Sequence, residues 1–366
     1  MKIPYVDLSH QWSQEKKNIL NIIDKIASSD LWVSGNEIKK FEKNISKICK
    51  TKYAVALNSG TDALTLGLAS LGVKKGDEVI TTANSFIAST SCIVHLGAKP
   101  IFVDVKEDQL IDHRLIEKNI SKKTKAIMVV HLGGRIAEMD YISRISKKYK
   151  IPIIEDAAQS VGSQYKNRPS GSLGKIGCFS AHPLKNLNAL GDSGYVTTND
   201  RKIYDFIKRL SNHGHKNRDI VDKFGYVSRM DTIQAGILNF RLKNLKDVIK
   251  KRRKNAKIYR NSIKTKKVFI PSENKKVFNT YHTFVIQAPL RDKLKKYLFR
   301  NNIKTSIHYP IPIHLQPAFK KLGYNSPNLK KTEQQAKKII TLPVNQFMTE
   351  KQIKKISNLI NNFYEK

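Results

Sequence analysis

Cysteine is scarce in this chain of 366 residues. The three cysteines, Cys49, Cys92 and Cys178, lie far apart, and the sequence contains no C-x-x-C pair. This spacing argues against a disulfide framework and against a bound metal. Cys92 and Cys178 lie in apolar segments and are predicted to be buried thiols.

Long apolar runs are also missing. No segment approaches the ~20 apolar residues that a membrane-spanning helix needs. The first residues, Met-Lys-Ile-Pro-Tyr-Val-Asp, lack the apolar stretch of a signal peptide. We therefore expect a cytoplasmic protein without a membrane partner.

Acidic residues are few, since 30 Asp and Glu accompany 67 Lys and Arg, which gives a formal net charge of +37. Clustered basic residues would indicate a nucleic-acid binder, because they release counterions from phosphates. Here they are spread over predicted helix surfaces, without a zinc-finger spacing or an aromatic RNA-binding signature. Nucleic acid is therefore not the expected main partner. The charge would still attract an anionic small substrate such as a sugar diphosphate.

The chain does contain a regular alternation of short apolar runs with helical patterns. Strands separated by helices imply parallel pairing through right-handed crossovers, and hence an α/β fold. The predicted strands are residues 53–57, 78–82, 99–104, 125–130, 151–155, 177–180 and 195–198. The predicted helices are residues 62–71, 87–96, 113–119 and 139–148.

The second part of the chain has a different pattern. A long helical stretch, residues 231–259, suits a spine that joins two domains. After it, the sequence predicts an α+β unit with strands at 283–286 and 304–308 and helices at 291–301, 333–340 and 349–363. The length allows one large and one smaller domain, which we place at residues 1–248 and 249–366.

Two strand-to-helix junctions carry residues suited to ligand binding. Asn58-Ser-Gly-Thr-Asp-Ala-Leu64 opens a helix, where free N–H groups and the positive helix end favour an anion. Gly60 allows close approach and Thr61 adds a hydroxyl, although an ordinary N-cap has the same pattern. At the next junction Phe86 could stack on a planar ring or belong to the core. α/β proteins place ligands at this carboxyl edge of the sheet.

An acidic strand end and one lysine on a later loop suggest a cofactor that needs both. The apolar run from Ile151 ends in Asp156, a carboxylate that is costly to bury unless it is paired. A protonated pyridine nitrogen would supply the partner. Lys185, which lies ahead of the turn Gly191-Asp-Ser-Gly194, could bond to an aldehyde and shuttle protons. Pyridoxal phosphate offers both groups. Without Lys185, an acidic N-cap would be the better interpretation of Asp156.

These segments, in this order and spacing, resemble the DegT/DnrJ/StrS family of pyridoxal-phosphate-dependent nucleotide-sugar aminotransferases, of the aspartate-aminotransferase fold type I. The resemblance covers nearly the whole chain. It includes Gly60-Thr-Asp-Ala-Leu, Gly76-Asp-Glu-Val, Glu155-Asp-Ala-Ala-Gln, Lys185-Asn-Leu, Asn212-His-Gly, Ser228-Arg-Met-Asp and Ile307-His-Tyr-Pro-Ile-Pro-Ile-His-Leu-Gln-Pro. It implies a mostly parallel seven-stranded sheet between helices, with a smaller C-terminal α+β domain.

The resemblance implies a role for each matching residue. Lys185 would be the catalytic residue that bonds to the cofactor aldehyde, Asp156 would hold the pyridine nitrogen, and Gln159 the ring hydroxyl. The other cofactor-binding residues would be Gly60, Thr61, Phe86 and Ser180. The candidate substrate residues are His182, His308, Tyr309 and His314. The family forms homodimers with shared active sites, to which residues 212–230 and 308–309 are expected to contribute.

One departure from the family pattern lies at Val227. The family often has Gly-Tyr-Asn-Ser-Arg, in which the Asn reaches the cofactor phosphate of the partner subunit. This chain has Gly225-Tyr-Val-Ser-Arg229 instead. Valine cannot donate that hydrogen bond, so another group or water replaces it, or the phosphate is bound more weakly.

The implied reaction is a transamination in two halves, from L-glutamate to a nucleotide-linked keto-sugar, in polysaccharide or glycoconjugate biosynthesis. Gly191-Asp-Ser-Gly194 is more similar to relatives that act at carbon 3 than to those that act at carbon 4, which often have Gly-Glu-Gly-Gly. Two alternatives stay open. One is amination of a keto-cyclitol on the same scaffold, and the other is a non-catalytic regulatory or nucleic-acid-binding relative.

Overall fold

The computed structural model describes residues 2–325 and 327–365. Its helices are α1 (Leu8–Ala27), α2 (Asn36–Cys49), α3 (Gly60–Ser70), α4 (Ala88–His95), α5 (Met139–Tyr149), α6 (Arg201–Leu210), α7 (Thr232–Leu242), α8 (Leu245–Ser262), α9 (Arg291–Arg300), α10 (Pro317–Lys320), α11 (Lys330–Ala336) and α12 (Glu350–Glu365). Its strands are β1 (Tyr53–Leu57), β2 (Glu78–Thr82), β3 (Lys99–Val103), β4 (Thr124–Val130), β5 (Ile153–Asp156), β6 (Gln164–Tyr165), β7 (Arg168–Pro169), β8 (Ile176–Ser180), β9 (Gly194–Thr198), β10 (Val277–Phe278), β11 (Phe284–Gln287) and β12 (Ile339–Leu342). Within these described residues, no helix has both the length and the apolar character needed to cross a bilayer.

Seven strands form the central sheet, in the order β1-β9-β8-β5-β4-β2-β3. The pairs from β8 to β3 are parallel, whereas β9 is antiparallel to both of its neighbours. The predicted α/β fold with a mostly parallel seven-stranded sheet is confirmed. Each of the seven strands begins and ends within two residues of its predicted position.

Helices cover both faces of this sheet, because its strands are apolar on both faces. In β1, Val55 and Leu57 pack into the core that α3, α4 and α6 cover, whereas Ala54 and Ala56 pack on the opposite side, against α2 and α7. This alternation follows from the two-residue period of a strand. All three cysteines are free and buried, as predicted for Cys92 and Cys178.

A second core lies around the small antiparallel sheet β11–β12, which α8, α9 and α12 cover. Helix α8 contributes to both cores: Leu245 and Ile249 pack in the large core, and Ala256 and Tyr259 in the C-terminal one. The predicted division at residues 248 and 249 therefore falls inside a continuous helix, and it stays a prediction. Ile3 also packs in the C-terminal core, through the bridge it forms with Ile303.

Two predicted helices have the wrong extent. The single helix expected over 231–259 is two helices, since α7 ends at Leu242 and α8 begins at Leu245. Residues 113–119 form two short 3₁₀ turns instead of an α-helix. A seven-residue segment is too short to offset the cost of helix nucleation without extensive packing.

Two predictions in the C-terminal domain are also wrong. The helix expected over 333–340 ends at Ala336, and Ile339 begins strand β12. The β-branched run Ile339-Ile340-Thr341 favours a strand, and it pairs with β11. The strand expected over 304–308 is reduced to a bridge between Ser306 and Thr341.

Candidate active site

A cavity of about 610 Å³ lies where β1, β2, β4, β5 and β8 end, and the C-terminal domain closes its other side. This volume suits a small-molecule site. The cavity brings together ten of the eleven predicted site residues: Gly60, Thr61, Phe86, Asp156, Gln159, Ser180, His182, Lys185, His308 and Tyr309.

His314 is the predicted residue that the structure places elsewhere. Its side chain is 0% exposed, and its Nε2 lies 3.1 Å from Oε1 of Glu333. Its ring packs near Phe102 in a separate apolar cluster. The sequence His-Leu-Gln-Pro was therefore misinterpreted, because His314 lies in the packing under a loop and does not line the cavity.

One end of the cavity is an anion cradle at the start of α3. Ser59 caps this helix by accepting from the N–H of Asp62 at 3.0 Å, while the N–H groups of Gly60 and Thr61 make no hydrogen bond to a described residue. A Cβ added to Gly60 would lie 2.6 Å from the Cβ of Ser180, so only glycine allows the two segments to approach. Free N–H groups at a helix N-terminus suit a phosphate.

Gly194 packs closely against the backbone of Ser59, the residue that precedes the cradle. A Cβ at this position would lie 2.3 Å from the carbonyl of Ser59. We expect Gly194→Ala to displace the start of α3 and weaken cofactor binding at least ~5-fold, because an overpacked site costs about 1–3 kcal/mol and about 1 kcal/mol changes an equilibrium constant roughly fivefold. Titration of the apoprotein with pyridoxal phosphate measures this. The control is Gly191→Ala, whose Cβ meets only the flexible amide of Gln234. Equal affinities for both variants would contradict this role of Gly194.

Asp156 lines the cavity at the end of β5 and is buried. Its Oδ2 accepts a hydrogen bond from the Ser89 hydroxyl at 2.6 Å, and Ser89 in turn lies 2.6 Å from the hydroxyl of Ser85. Oδ1 accepts from the N–H of Ala158 at 3.2 Å. These contacts hold the carboxylate in one orientation, and it forms no salt bridge with a described residue, so it can receive a protonated ring nitrogen.

Glu155, the neighbouring acid, points to the other face of the sheet and fixes a backbone loop by hydrogen bonds. It accepts hydrogen bonds from the N–H groups of Gly171, Leu173 and Gly174, and its Oε2 lies 3.1 Å from Nε2 of His131. The strand period of two thus separates the two acids. Asp156 lines the cavity, whereas Glu155 fixes the 171–174 loop.

Lys185 contributes the amine of the cavity. Burial lowers its pKa from 10.5 to about 8, although the negative charge of Asp156 acts in the opposite direction. The neutral amine is therefore far more abundant near pH 8 than it is on a surface lysine. A neutral amine can attack an aldehyde, which is the chemistry that a cofactor-binding lysine needs.

Three further lining residues of the cavity, Gln159, Tyr309 and Phe86, contact one another. The Gln159 amide accepts from the N–H of Gly133 at 2.8 Å and donates to the Tyr309 hydroxyl at 3.2 Å. The rings of Tyr309 and Phe86 lie 6.0 Å apart, and Phe86 is 53% exposed. An exposed ring that faces a cavity is available to stack on a planar ligand.

Three histidines of the cavity, His182, His282 and His308, have lowered pKa values and are neutral near pH 7. Burial and the charge of Lys185 lower the pKa of His308 to about 4, and burial also lowers the pKa values of His182 and His282. His308 is oriented by the Thr341 hydroxyl, 2.9 Å from its Nδ1. These rings can therefore act as hydrogen-bonding groups at neutral pH, without adding positive charge.

Several residues of the site were not predicted from the sequence: Tyr5, Ser85, Asp192, Arg252 and His282 line the cavity, and Ser89 holds Asp156 from behind its wall. Ser85 and Ser89 carried a detectable signal, because their i, i+4 spacing at a strand-to-helix junction places both hydroxyls on one side of the chain. Tyr5, Arg252 and His282 come from distant parts of the sequence and have no local pattern.

The donor set fits pyridoxal phosphate. The same cavity offers free N–H groups and hydroxyls for its phosphate, a buried carboxylate for its ring nitrogen and a buried amine for its aldehyde. The model of the DegT/DnrJ/EryC1/StrS aminotransferase family matches residues 13–361. The chain belongs to the DegT/DnrJ/EryC1/StrS family. It is thus a pyridoxal-phosphate-dependent sugar aminotransferase, as the sequence resemblance predicted.

Individual members of the DegT/DnrJ/EryC1/StrS family are similar over the full length. The "Pleiotropic regulatory protein" of Geobacillus stearothermophilus is 36% identical, with 100% of this chain and 99% of that protein covered. The dTDP-3-amino-3,6-dideoxy-α-D-galactopyranose transaminase of Aneurinibacillus thermoaerophilus is 36% identical, with 99% of each covered. The crystal structure of S. venezuelae DesV in complex with a ketimine intermediate has a TM-score of 0.97 at 31% identity, and covers 100% of this chain and 99% of that chain.

Proposed function

We propose that this enzyme transfers the amino group of L-glutamate to the C-3 keto group of a nucleotide-linked sugar. The observation that carries the proposal is the cavity itself, which brings together the buried amine of Lys185, the Asp156 carboxylate and an anion cradle. The similarity to a transaminase named for a 3-amino dTDP-sugar supports C-3 over C-4. The product would enter polysaccharide or glycoconjugate biosynthesis.

In this proposal each residue of the cavity has one task. Bound there, pyridoxal phosphate supplies an aldehyde and an electron-withdrawing ring. Asp156 keeps the ring nitrogen protonated, and the N–H groups of Gly60 and Thr61, with the Ser180 hydroxyl, hold the phosphate. Lys185 Nζ removes the proton from the α-carbon of the donor and returns a proton to the sugar carbon that receives the amine. Its lowered pKa makes it effective in both directions near neutral pH.

The same proposal assigns residues to the face and the hydroxyl group of the cofactor ring. Phe86 would stack on the ring, and the Gln159 amide would hydrogen-bond the ring hydroxyl. Tyr309, whose hydroxyl already accepts from Gln159, shares that region of the cavity. His182 and His308, held neutral, contact the sugar as hydrogen-bonding groups.

We also propose that two copies of the chain form a homodimer. The 212–230 segment exposes an apolar group of side chains: Ile220, Val221, Phe224, Tyr226 and Val227. Contiguous exposed apolar side chains of this kind are typical of an interface. Val227 is 57% exposed and lies outside the cavity of its own chain, so its side chain would reach a site only on the partner.

We further propose that the enzyme is cytoplasmic. Its three cysteines are free and buried, which fits the reducing conditions of that compartment.

The test of this function separates the two halves of the reaction. Holoenzyme is first treated with L-glutamate, and loss of the visible absorbance of the cofactor is expected. The aminated form is then mixed with 3-keto and 4-keto nucleotide sugars, and return of the absorbance with the 3-keto sugars alone is expected. Return with the 4-keto sugars alone would contradict the regiochemistry.

Two further outcomes distinguish the alternatives. Return of absorbance with a keto-cyclitol and with none of the nucleotide sugars would favour the keto-cyclitol enzyme. A regulatory role is the alternative that the name of the Geobacillus relative favours. A purified protein that stays colourless with added cofactor and binds DNA in a salt-sensitive manner would favour that role.

A further inference from the structure

The cavity contains one cation that the transfer chemistry does not use. Among its described lining residues, Lys185 and Arg252 are the lysine and arginine side chains present, despite the net charge of +37 on the chain. Lys185 is committed to the cofactor. Arg252 reaches the cavity from α8, on the side of the C-terminal domain.

Arg252 differs from the other two buried arginines of the described chain in having no acidic partner. Arg241 is 7% exposed and donates to Glu15 at 2.6 Å, and Arg291 is 8% exposed and lies 2.8 Å from Asp292. Arg252 is 4% exposed, and no described carboxylate acts on its charge. A buried cation without an anion is unfavourable, so this site is prepared for an anionic ligand.

The guanidinium of Arg252 is positioned by neutral oxygens on one side. Its Nε donates to the amide oxygen of Gln346 at 3.2 Å, and its Nη1 lies 3.3 Å from the carbonyls of Tyr281 and His282. Its Nη2 donates to no described residue. The partial desolvation lowers the pKa to about 10, which leaves the group charged at neutral pH.

Tyr5 adds a second donor at the same place. Its phenol lines the cavity, and the charge of Arg252 acts on it, while burial raises its pKa. Its hydroxyl makes no hydrogen bond to a described residue. A cationic N–H and a neutral O–H in one cavity match the two oxygens of a carboxylate.

The site also lies near the reacting amine. Lys185, Arg252 and His282 line the same cavity, and the pKa of the His282 ring is lowered mainly by burial and further by the charges of Lys185 and Arg252. The α-carboxylate of an amino acid is one carbon–carbon bond from the carbon whose proton Lys185 moves. The phosphate cradle at α3 is formed by other residues and does not compete for Arg252.

We propose that Arg252, assisted by the Tyr5 hydroxyl, binds the α-carboxylate of the amino-acid donor. This inference rests on the proposed function and adds to it the group that selects an α-amino acid as the donor. Arg252 therefore acts in the donor half of the reaction, and the sugar half does not depend on its contact with a carboxylate.

The test measures the two half-reactions of the holoenzyme separately by rapid mixing. Arg252→Gln is expected to raise the apparent Kd for L-glutamate at least ~30-fold, because truncating one partner of a buried charge pair has an effect of this size. Arg252→Lys should fall between this variant and the wild type, and Tyr5→Phe should have a smaller effect. The return half, measured with the aminated form and a keto nucleotide sugar, should change less than ~3-fold.

Arg253→Gln is the matched control. Arg253 is the next residue of α8, donates to the carbonyl of Asn279 at 2.7 Å and stacks on Phe278, but it does not line the cavity. This variant should bind L-glutamate like the wild type. If Arg252→Gln does not fold, as judged by thermal unfolding, Arg252→Lys and Tyr5→Phe decide the question by the same measurement.

A donor without an α-carboxylate gives the most specific readout. The wild type should prefer L-glutamate strongly over 4-aminobutyrate, and in Arg252→Gln that preference should collapse. An unchanged preference, or a loss confined to the sugar half, would overturn the proposal, the latter by assigning Arg252 to an acidic group of the sugar nucleotide. A wild-type enzyme that no amino acid converts would instead contradict the proposed function.

Discussion

Replacing Lys185 with alanine is expected to lower the transamination rate at least ~100-fold, the lower end of what a positioned proton-transfer group supplies. The side chain is the amine of the cavity, and burial brings its pKa to about 8, within the range where it can both accept and release a proton. The variant should still bind the cofactor, because the cradle at α3 and the Asp156 carboxylate are unchanged. Single-turnover absorbance with L-glutamate measures the rate.

The controls for Lys185→Ala test charge and specificity. Lys185→Arg retains the positive charge but has no neutral amine, so it should be as impaired as the alanine variant. Lys175→Ala removes an exposed lysine paired with Asp200 and should leave the rate unchanged. Added methylamine should restore part of the activity of Lys185→Ala. A Lys185→Ala enzyme with wild-type turnover would refute the mechanism.

Asp156→Asn is expected to reduce turnover by about 10²–10³-fold, as is typical when a group that stabilises developing charge is removed. Asparagine has the same shape, and its one carbonyl oxygen can still accept from Ser89, so the fold and the hydrogen bond at 2.6 Å should survive, while the longer bond from the N–H of Ala158 is lost. It cannot balance the positive charge of a protonated ring nitrogen. Cofactor affinity should fall as well. Steady-state turnover and titration of the apoprotein measure the two effects.

Ser89→Ala distinguishes the effect of the orientation of the Asp156 carboxylate from the effect of its charge. It removes the hydroxyl that orients Asp156 but leaves the carboxylate, so its effect should be smaller, near the ~1.5–3 kcal/mol of one hydrogen bond to a charged group. Turnover in Asp156→Asn that equals the wild-type value would show that the carboxylate does not act on the cofactor. An effect of Ser89→Ala larger than that of Asp156→Asn would assign the main role to the hydroxyls.

Much of this arrangement could be predicted because it is local in sequence. The strands of the large sheet are short apolar runs with clear boundaries, and parallel strands bring their carboxyl ends to one edge. Gly60, Phe86, Asp156 and Ser180 each lie at such an end. Their convergence in one cavity therefore follows from the sheet topology. Once the strand boundaries are predicted correctly, the common position of these residues is predicted as well.

The rest depended on contacts between distant segments. In the sequence, Arg252 cannot be distinguished from the other basic residues of a lysine-rich helix. Only the packing of the folded chain shows that its charge is buried. Residues 304–308 have a strand-like composition, yet at the edge of the two-stranded sheet only Ser306 pairs. His314 lies in a motif shared with the family, but the 0% exposure of its side chain places it in a core. Periodicity contains no information about which of several similar side chains faces a cavity.

The central claim is that Lys185 is the residue that carries the cofactor. Borohydride reduction of the holoenzyme, followed by proteolysis and mass spectrometry of the peptides, tests it most directly, because reduction makes the link to the lysine permanent. With 67 Lys and Arg residues in the chain, labelling by chance would be spread over many surface lysines. The account predicts one phosphopyridoxyl group per chain, on Lys185. A label on a different lysine, or a protein that retains its colour and carries no label, would contradict it.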